Sequence, residues 1–520
     1  MPFSQPFFYL EFKAFVQPHA LMVANFRLGW ACLLLALAAT GCGATPSARP
    51  PAAKVAALVP ATLPPPVSVA AFIRALLDTV PLGRSAPADA RRGLRAGNAV
   101  RALYGEPCAP VWTQPADSLN ANARAALALL GRAAEQGLRP VDYAGPRLRA
   151  LRDSLARPAT PGARARQQAQ LEVSLSDAVL TFMRDLDRGR LHPYTVSGRE
   201  RAGGVAARPV AALQAALASG TVPAAMLAGQ PANREYRQLQ QALARWLAEP
   251  IPPDSVLQHQ AHFEQAALNL ERWRWEAVLA APEYVLINIP AYELQVVAHD
   301  SVLRRHRVVV GAPQTPTPTL SSRISHFTLA PDWHVPRSIA TREMLPHLRK
   351  DAGYLARNNY ALYDDRDRQL DATRIDWAKV TAQRFPYTIR QSAGCENALG
   401  NVVFRFANPY SVYLHDTPLR QFFARSYRAL SHGCIRLEQP LELAAYLLRR
   451  EGRPVQLPSE AECARQPRPR DVRLTRSLPI YIRYATCIVE HNRLVFLPDI
   501  YHRDEALRRA LFGSPALGQR

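Results

Sequence analysis

The sequence predicts an α+β, multidomain chain in which a helical domain is followed by a mostly β domain. Three observations carry this. A length of 520 residues is enough for two or three separate cores. Apolar residues recur at helical spacing from about residue 70 to 280, and at Tyr284 the pattern changes to short β-rich runs broken by turn residues.

Residues 1–42 read as an export segment. Arg27 precedes an apolar run of twelve residues, 28–39, too short to span a bilayer, and Thr40-Gly41-Cys42 follows. Small residues ahead of a cysteine resemble the lipobox of bacterial lipoproteins, with Ala39 where that pattern usually has Leu; the resemblance implies lipidation of Cys42 and a membrane anchor. Residues 1–21 carry Glu11 and Lys13 and add nothing to a signal, so Met22 is the expected start. Residues 43–69 are Ala, Pro and Ser with almost no large hydrophobes, a tether rather than a fold.

The helical domain is expected over 70–280. Leu119, Ala123, Ala126, Leu127, Leu130 and Ala134 form one stripe, with Asp117 or Ser118 as N-cap and Gly137 and Pro140 as the stop. Leu171, Leu175, Ala178, Val179, Phe182 and Leu186 form a second, ended by Gly189, and 236–247 is a third amphipathic stretch. Trp273 and Trp275 are expected to pack this domain on the next, binding of sugar rings being the alternative. Strands are expected at 284–289, 292–297, 303–310, 401–406 and 411–415, within a domain spanning 281–500. The proline-rich segment 311–318 must be loop, 441–450 a helix stopped by Gly452 and Pro454, and 501–520 a terminal helix and tail. Residues 341–390 read as a polar, helical insertion placed as a lid.

A formal net charge of +22 invites a nucleic-acid partner, but the arginines are scattered and no nucleic-acid-binding motif is present, so that class is excluded. A basic surface suits an acidic envelope polymer or anionic lipid; GC-rich coding bias explains the arginines equally well. Of seven cysteines, Cys32 would leave with the signal and Cys42 carry lipid, leaving Cys108, Cys395, Cys434, Cys463 and Cys487. Five is odd, so at least one stays unpaired within the chain, with a Cys463–Cys487 disulfide left open.

The chemistry centres on Ser431-His432-Gly433-Cys434-Ile435-Arg436. A thiol of pKa about 8.5 is only about 3% thiolate at neutral pH, so a nucleophilic Cys434 needs a base. His415, on an adjacent strand, is the expected base, because a cross-strand ring reaches the sulfur better than that of His432, which is expected to order the turn. The amides of Gly433 and Cys434 are the expected oxyanion donors. Arg436 would grip a substrate carboxylate, with an ion pair to Glu438 as the alternative. Asp416 should face away from His415, leaving a backbone carbonyl to orient the ring. Ser431 and Tyr413 are assigned to substrate binding. His415, His432 and Cys434 are zinc-ligand types, but no fourth ligand stands at motif spacing, and no cofactor is called for.

At these residues the chain resembles the L,D-transpeptidases of the YkuD (ErfK) family: an upstream histidine, His415, then fifteen residues, then Ser431-His432-Gly433-Cys434, with Arg436 two further on. The blocks Asn269-Leu270-Glu271-Arg272-Trp273-Arg274-Trp275, Asn288-Ile289-Pro290, Val308-Val309-Val310-Gly311, Trp333-His334-Val335-Pro336, Asn397-Ala398-Leu399-Gly400 and Tyr413-Leu414-His415-Asp416-Thr417-Pro418 extend it to the YcbB-like branch. The resemblance implies a scaffold domain, a catalytic domain built as a YkuD-like β-sandwich, and a lid. It implies a periplasmic enzyme acting on peptidoglycan stem peptides, forming 3→3 cross-links through a Cys434 thioester. The alternatives are an L,D-carboxypeptidase or cross-link hydrolase with the same site, and a non-catalytic wall-binding lipoprotein. The peptidoglycan-binding module frequent in relatives has no room here, since only about twenty residues, 249–268, separate the last scaffold helix from the Asn269 block. Cys395 has no functional account.

Overall fold

Apolar stripes make the first half of the chain helical. In the computed structural model, which describes residues 68–78, 93–114, 118–143, 145–157, 159–191, 207–276, 281–394, 396–453, 457, 459 and 468–513, the helices are α1 Val69–Asp78, α2 Gly97–Tyr104, α3 Ala121–Gly131, α4 Pro146–Ser154, α5 Pro161–Arg188, α6 Ala207–Ser219, α7 Val222–Leu227, α8 Arg234–Leu247 and α9 Val256–Trp275. The export segment with Met22 and Cys42, nearly all of the tether, Cys395, Cys463 and residues 514–520 lie outside the described residues.

The central helix is α5. Thr160 caps it, Pro161 opens it, and Leu171, Leu175, Val179, Phe182 and Leu186 are buried along one side. Gly189 closes it at φ +80°, where a Cβ would stand 2.6 Å from Glu271 Oε1, so both backbone and space require glycine. The start of α3 differs from expectation. Thr113 bridges Leu119, which carries the extended chain past Ser118, and Asn120 caps instead, its side chain accepting from Ala123 N at 2.8 Å. The helix stops at Gly131; Gly137 caps the short 3-10 turn Ala133–Gln136 that follows.

Trp273 does join the two halves. It shares a core with Tyr236, Leu239 and Phe263 of the helices and with Tyr284, Leu286, Val297 and Cys487 of the β region. Trp275 donates to Glu271 Oε1 at 3.2 Å. The described residues, 68–513, fall in one compact unit, and this core joins its helical and β regions.

The β region contains β1 Glu283–Asn288, β2 Glu293–Ala298, β3 Ser301–Gly311, β4 Leu320–Leu329, β5 Trp333–His334, β6 Tyr360–Tyr363, β7 Gln369–Leu370, β8 Thr388–Gln391, β9 Val402–Phe406, β10 Leu414–His415, β11 Ala429–Ser431, β12 Ile435–Leu437, β13 Arg470–Arg483, β14 Cys487–Glu490 and β15 Arg493–Phe496. The main sheet runs β11-β3-β12-β10-β9-β4-β13-β1-β2, and β2 also pairs with β3, so eight strands close into a ring. The expected sandwich is realised as this ring. Alternate residues (Val285, Leu294, Val308, Phe327, Phe404, Leu414, Ile435, Ile480) point inward and pack with Leu443 and Leu447 of the helix Pro440–Arg450.

The insertion differs from the helical reading. It holds α10 Arg337–Ile339, a π-helical turn Ala340–Met344, α11 Leu345–Lys350 and α12 Tyr354–Arg357, but its second half is sheet, ordered β5-β8-β6-β7. It therefore starts at Trp333 and ends at Gln391, around its own core of Val335, Leu348, Leu362, Trp377, Phe385 and Ile389. Strands of two to four residues separated by polar turns leave almost no periodicity for a sequence reading to catch. The helix Pro440–Arg450 is α13, and α14 is Asp504–Phe512, packed on α9.

Candidate active site

The site is set by one strand pair. β10 runs parallel to β12 with Leu414 opposite Ile435 and His415 opposite Arg436. Leu414 and Ile435 are fully buried in the ring core, so His415 and Arg436 face outward. The ladder continues one step through Ile435 N donating to Tyr413 O at 3.1 Å, which brings Tyr413 beside Cys434 on the same outer face. The expected 411–415 strand is thus only Leu414–His415, extended by this one bond.

The nucleophile turn is held from below. Gly433 has φ +114°, open to glycine. Thr317, fully buried in the proline-rich loop, accepts from Gly311 N at 2.8 Å and donates to Gly433 O at 2.9 Å. Ala312 N and Thr315 Oγ1 both donate to Ser431 O, at 2.8 and 3.0 Å, and Tyr501 Oη donates to Gly311 O at 2.5 Å. A Cβ on Gly311 would stand 3.0 Å from Gly433 Cα, so the start of this loop and the turn lie as close as backbones allow.

Several expected roles are corrected. Ser431 is buried, donates to Cys434 O at 2.6 Å and accepts from Gly433 N at 3.2 Å, so it locks the turn and offers nothing to a substrate. The same bond commits the Gly433 amide, leaving the Cys434 amide, unbonded among the described residues, as the oxyanion donor of the turn. His432 does not order its own turn: its Nε2 lies 2.9 Å from Glu343 Oε1 in the π-helical turn of the insertion. Cys487 is a free, buried thiol, which removes the disulfide with Cys463. Arg436 makes no ion pair with Glu438; it stacks on Phe422 at 5.6 Å, and its Nη1 is buried without a partner. As expected of its strand position, Asp416 turns its carboxylate away, accepting from Asn401 N at 2.8 Å, while its carbonyl lies 2.5 Å from His415 Nδ1.

Residues 282–457 match the model of the L,D-transpeptidase catalytic domain (YkuD), and 98–243 match the scaffold domain. The chain therefore carries a YkuD catalytic domain behind a scaffold domain. A Haemophilus influenzae protein named "Putative L,D-transpeptidase" is 32% identical over 287 residues, 55% of each chain. The chain thus spans about half the length of the curated relative it matches. Among solved structures, similarity extends to an L,D-transpeptidase from Mycobacterium smegmatis (17% identity, 39% of this chain, 59% of that chain, TM-score 0.20). It extends also to the Ldtfm–avibactam carbamoyl enzyme (10% identity, 40% of this chain, 51% of that chain, TM-score 0.20).

Within this YkuD domain, burial sets the electrostatics. His415 is pushed down to about 3 by burial and by the Arg436 guanidinium beside it, against the pull of the Asp416 carbonyl, so its ring is neutral at ordinary pH. With Nδ1–H donating to that carbonyl, Nε2 is the free acceptor. Burial raises the Cys434 thiol, which the Tyr413 amide and hydroxyl and the Arg436 charge offset in part. The resting pair is therefore thiol and imidazole, not thiolate and imidazolium. Sequence reading missed Thr317, Tyr501 and Glu343. Only the hydroxyl of Thr317, set between Pro316 and Pro318, hinted that the loop has a bonding task.

Proposed function

We propose that this chain is an exported L,D-transpeptidase that forms 3→3 cross-links in peptidoglycan, working in the periplasm from a lipid anchor on Cys42. The observation that carries the catalytic reading is the parallel β10–β12 pair. It sets a buried, neutral His415 with a free Nε2 on the same face as Cys434 and Arg436.

In this reading Cys434 Sγ attacks the carbonyl carbon of the third residue of a tetrapeptide stem. A C–S bond forms, the thiol proton passes to His415 Nε2, and the Cys434 amide holds the oxyanion. On collapse the C–N bond to the terminal amino acid breaks and His415 protonates the departing amine. An acceptor amine then attacks the thioester and gives its proton to His415, which returns it to sulfur as the C–S bond breaks. A neutral resting pair suits this sequence: the proton moves only as sulfur bonds to carbon, so the thiol is protected from adventitious oxidation between turnovers. Arg436 grips the carboxylate of the leaving residue, and the insertion, reaching the nucleophile turn through Glu343, shields the thioester from water.

Incubating the full chain with tetrapeptide muropeptides and scoring products by mass spectrometry tests this. Cross-linked dimer absent from a Cys434→Ala sample is the expected result. Tripeptide alone would make the enzyme an L,D-carboxypeptidase, and no product at all would leave a wall-binding lipoprotein.

A further inference from the structure

Arg405 is a second guanidinium at the site that no carboxylate among the described residues holds. On β9, Phe404 pairs with Leu414 and turns inward with it, so Arg405, the next residue, faces outward beside Tyr413. Its Cζ lies 6.0 Å from the Tyr413 ring centroid. Its charge also reaches His334 on β5; that imidazole is held below its usual range by burial, by Arg390 and in smaller part by Arg405. Arg405 therefore sits in the cleft between ring and insertion. It is half-buried and, among the described residues, makes no ion pair or hydrogen bond.

Elsewhere this chain ties its buried guanidiniums down: Arg274 to Glu271, and Arg483 to Glu276 and the Leu320 carbonyl. Arg405 on β9 and Arg436 on β12 have no carboxylate partner among the described residues, one on each side of β10. With strands about 4.8 Å apart, their backbones are separated by roughly 10 Å, with Tyr413 and His415 between them. Two cations at that spacing, one of them largely buried, suit a ligand with two anionic groups flanking the reacting carbonyl.

We propose that Arg405 determines acyl-donor specificity by binding a second carboxylate, carried on the side chain of the residue whose carbonyl Cys434 attacks. Arg436 holds the terminal carboxylate of the leaving amino acid. This rests on the transpeptidase reading above and sharpens it. The third residue of the donor then carries a free side-chain carboxylate rather than an amidated one.

The test gives the full chain two disaccharide tetrapeptides that differ only in whether that side-chain carboxylate is free or amidated, and measures kcat/KM for each. A charge-assisted contact predicts a preference for the free acid of about tenfold or more. Arg405→Gln should bring the ratio close to one, and Arg405→Lys, which keeps the charge without the fork, should leave an intermediate ratio. Thermal melting of both variants checks their folding. Equal turnover of both donors by the wild type, or a Gln variant that slows both by one factor, would overturn the assignment and leave Arg405 as packing for Tyr413. Turnover of neither donor by the wild type would instead overturn the transpeptidase reading, and this assignment with it.

Discussion

Replacing Thr317 with Val keeps the volume of a fully buried side chain and removes one oxygen. That oxygen accepts from Gly311 N and donates to Gly433 O, so the change orphans one buried donor and one buried acceptor at once. Each unsatisfied group costs about 1–3 kcal/mol, which sums to about 2–6 kcal/mol. Part of this loss should appear as mobility of the nucleophile turn, since Gly433 O is tied by Thr317 while Gly433 N is tied only within its own turn. The expected result is a lower urea midpoint at unchanged m for the β region, together with slower acylation of Cys434 by a carbapenem followed by intact mass. Thr317→Ser keeps the hydroxyl and loses only a methyl, so it should retain the acylation rate with a smaller loss of stability, about 1 kcal/mol. If Val matches the wild type within about 0.5 kcal/mol and acylates as fast, the proline-rich loop does not support the turn.

Acid should reveal the buried histidine. His415 stays neutral in the folded chain down to about pH 3 but takes a proton near 6.5 when unfolded. Between those values the unfolded state binds one proton more, so this group costs nothing above about pH 6.5 and destabilises by up to about 1.4 kcal/mol per unit as pH falls. His415→Asn should flatten that slope in urea midpoints taken from pH 6.5 to 4; parallel slopes for both proteins would contradict the burial. The insertion can be excised cleanly, because Trp333 pairs with Gln391 and Val335 N donates to Ile389 O, so a short turn joining Pro336 to Thr388 closes a hairpin. That variant should raise tripeptide relative to cross-linked dimer in the muropeptide assay, and an unchanged ratio would remove the lid role. Glu343→Gln should do the same weakly, by no more than about fivefold, because its contact with His432 is about half exposed on both sides.

What the sequence disclosed, and what it hid, follows from the range of each interaction. Periodicity along one segment exposed α5, α8 and the first three strands, because a stripe of burial is written into consecutive residues. The outward placement of Arg436 and the orientation of His415 by a carbonyl rather than by the Asp416 carboxylate were legible from strand alternation alone. The partners of Ser431, His432 and Thr317 were not. Their contacts reach 3 residues within a tight turn, across to Glu343, and 116 residues along the chain, and no local pattern encodes such pairings. The sheet half of the insertion escaped because two- and four-residue strands hold no full period.

The ring also decides what counts as a foldable piece. β13 is inserted between β4 and β1, antiparallel to one and parallel to the other. It is therefore the last ring strand to leave the ribosome and the one that closes the circle. The family match ends at residue 457, before β13 begins at Arg470. A recombinant fragment cut to that match would present β4 and β1 as two long open edges with apolar inner faces, a template for intermolecular pairing. Homology marks where the chemistry is inherited; solubility in expression should return only when the fragment extends past Arg483.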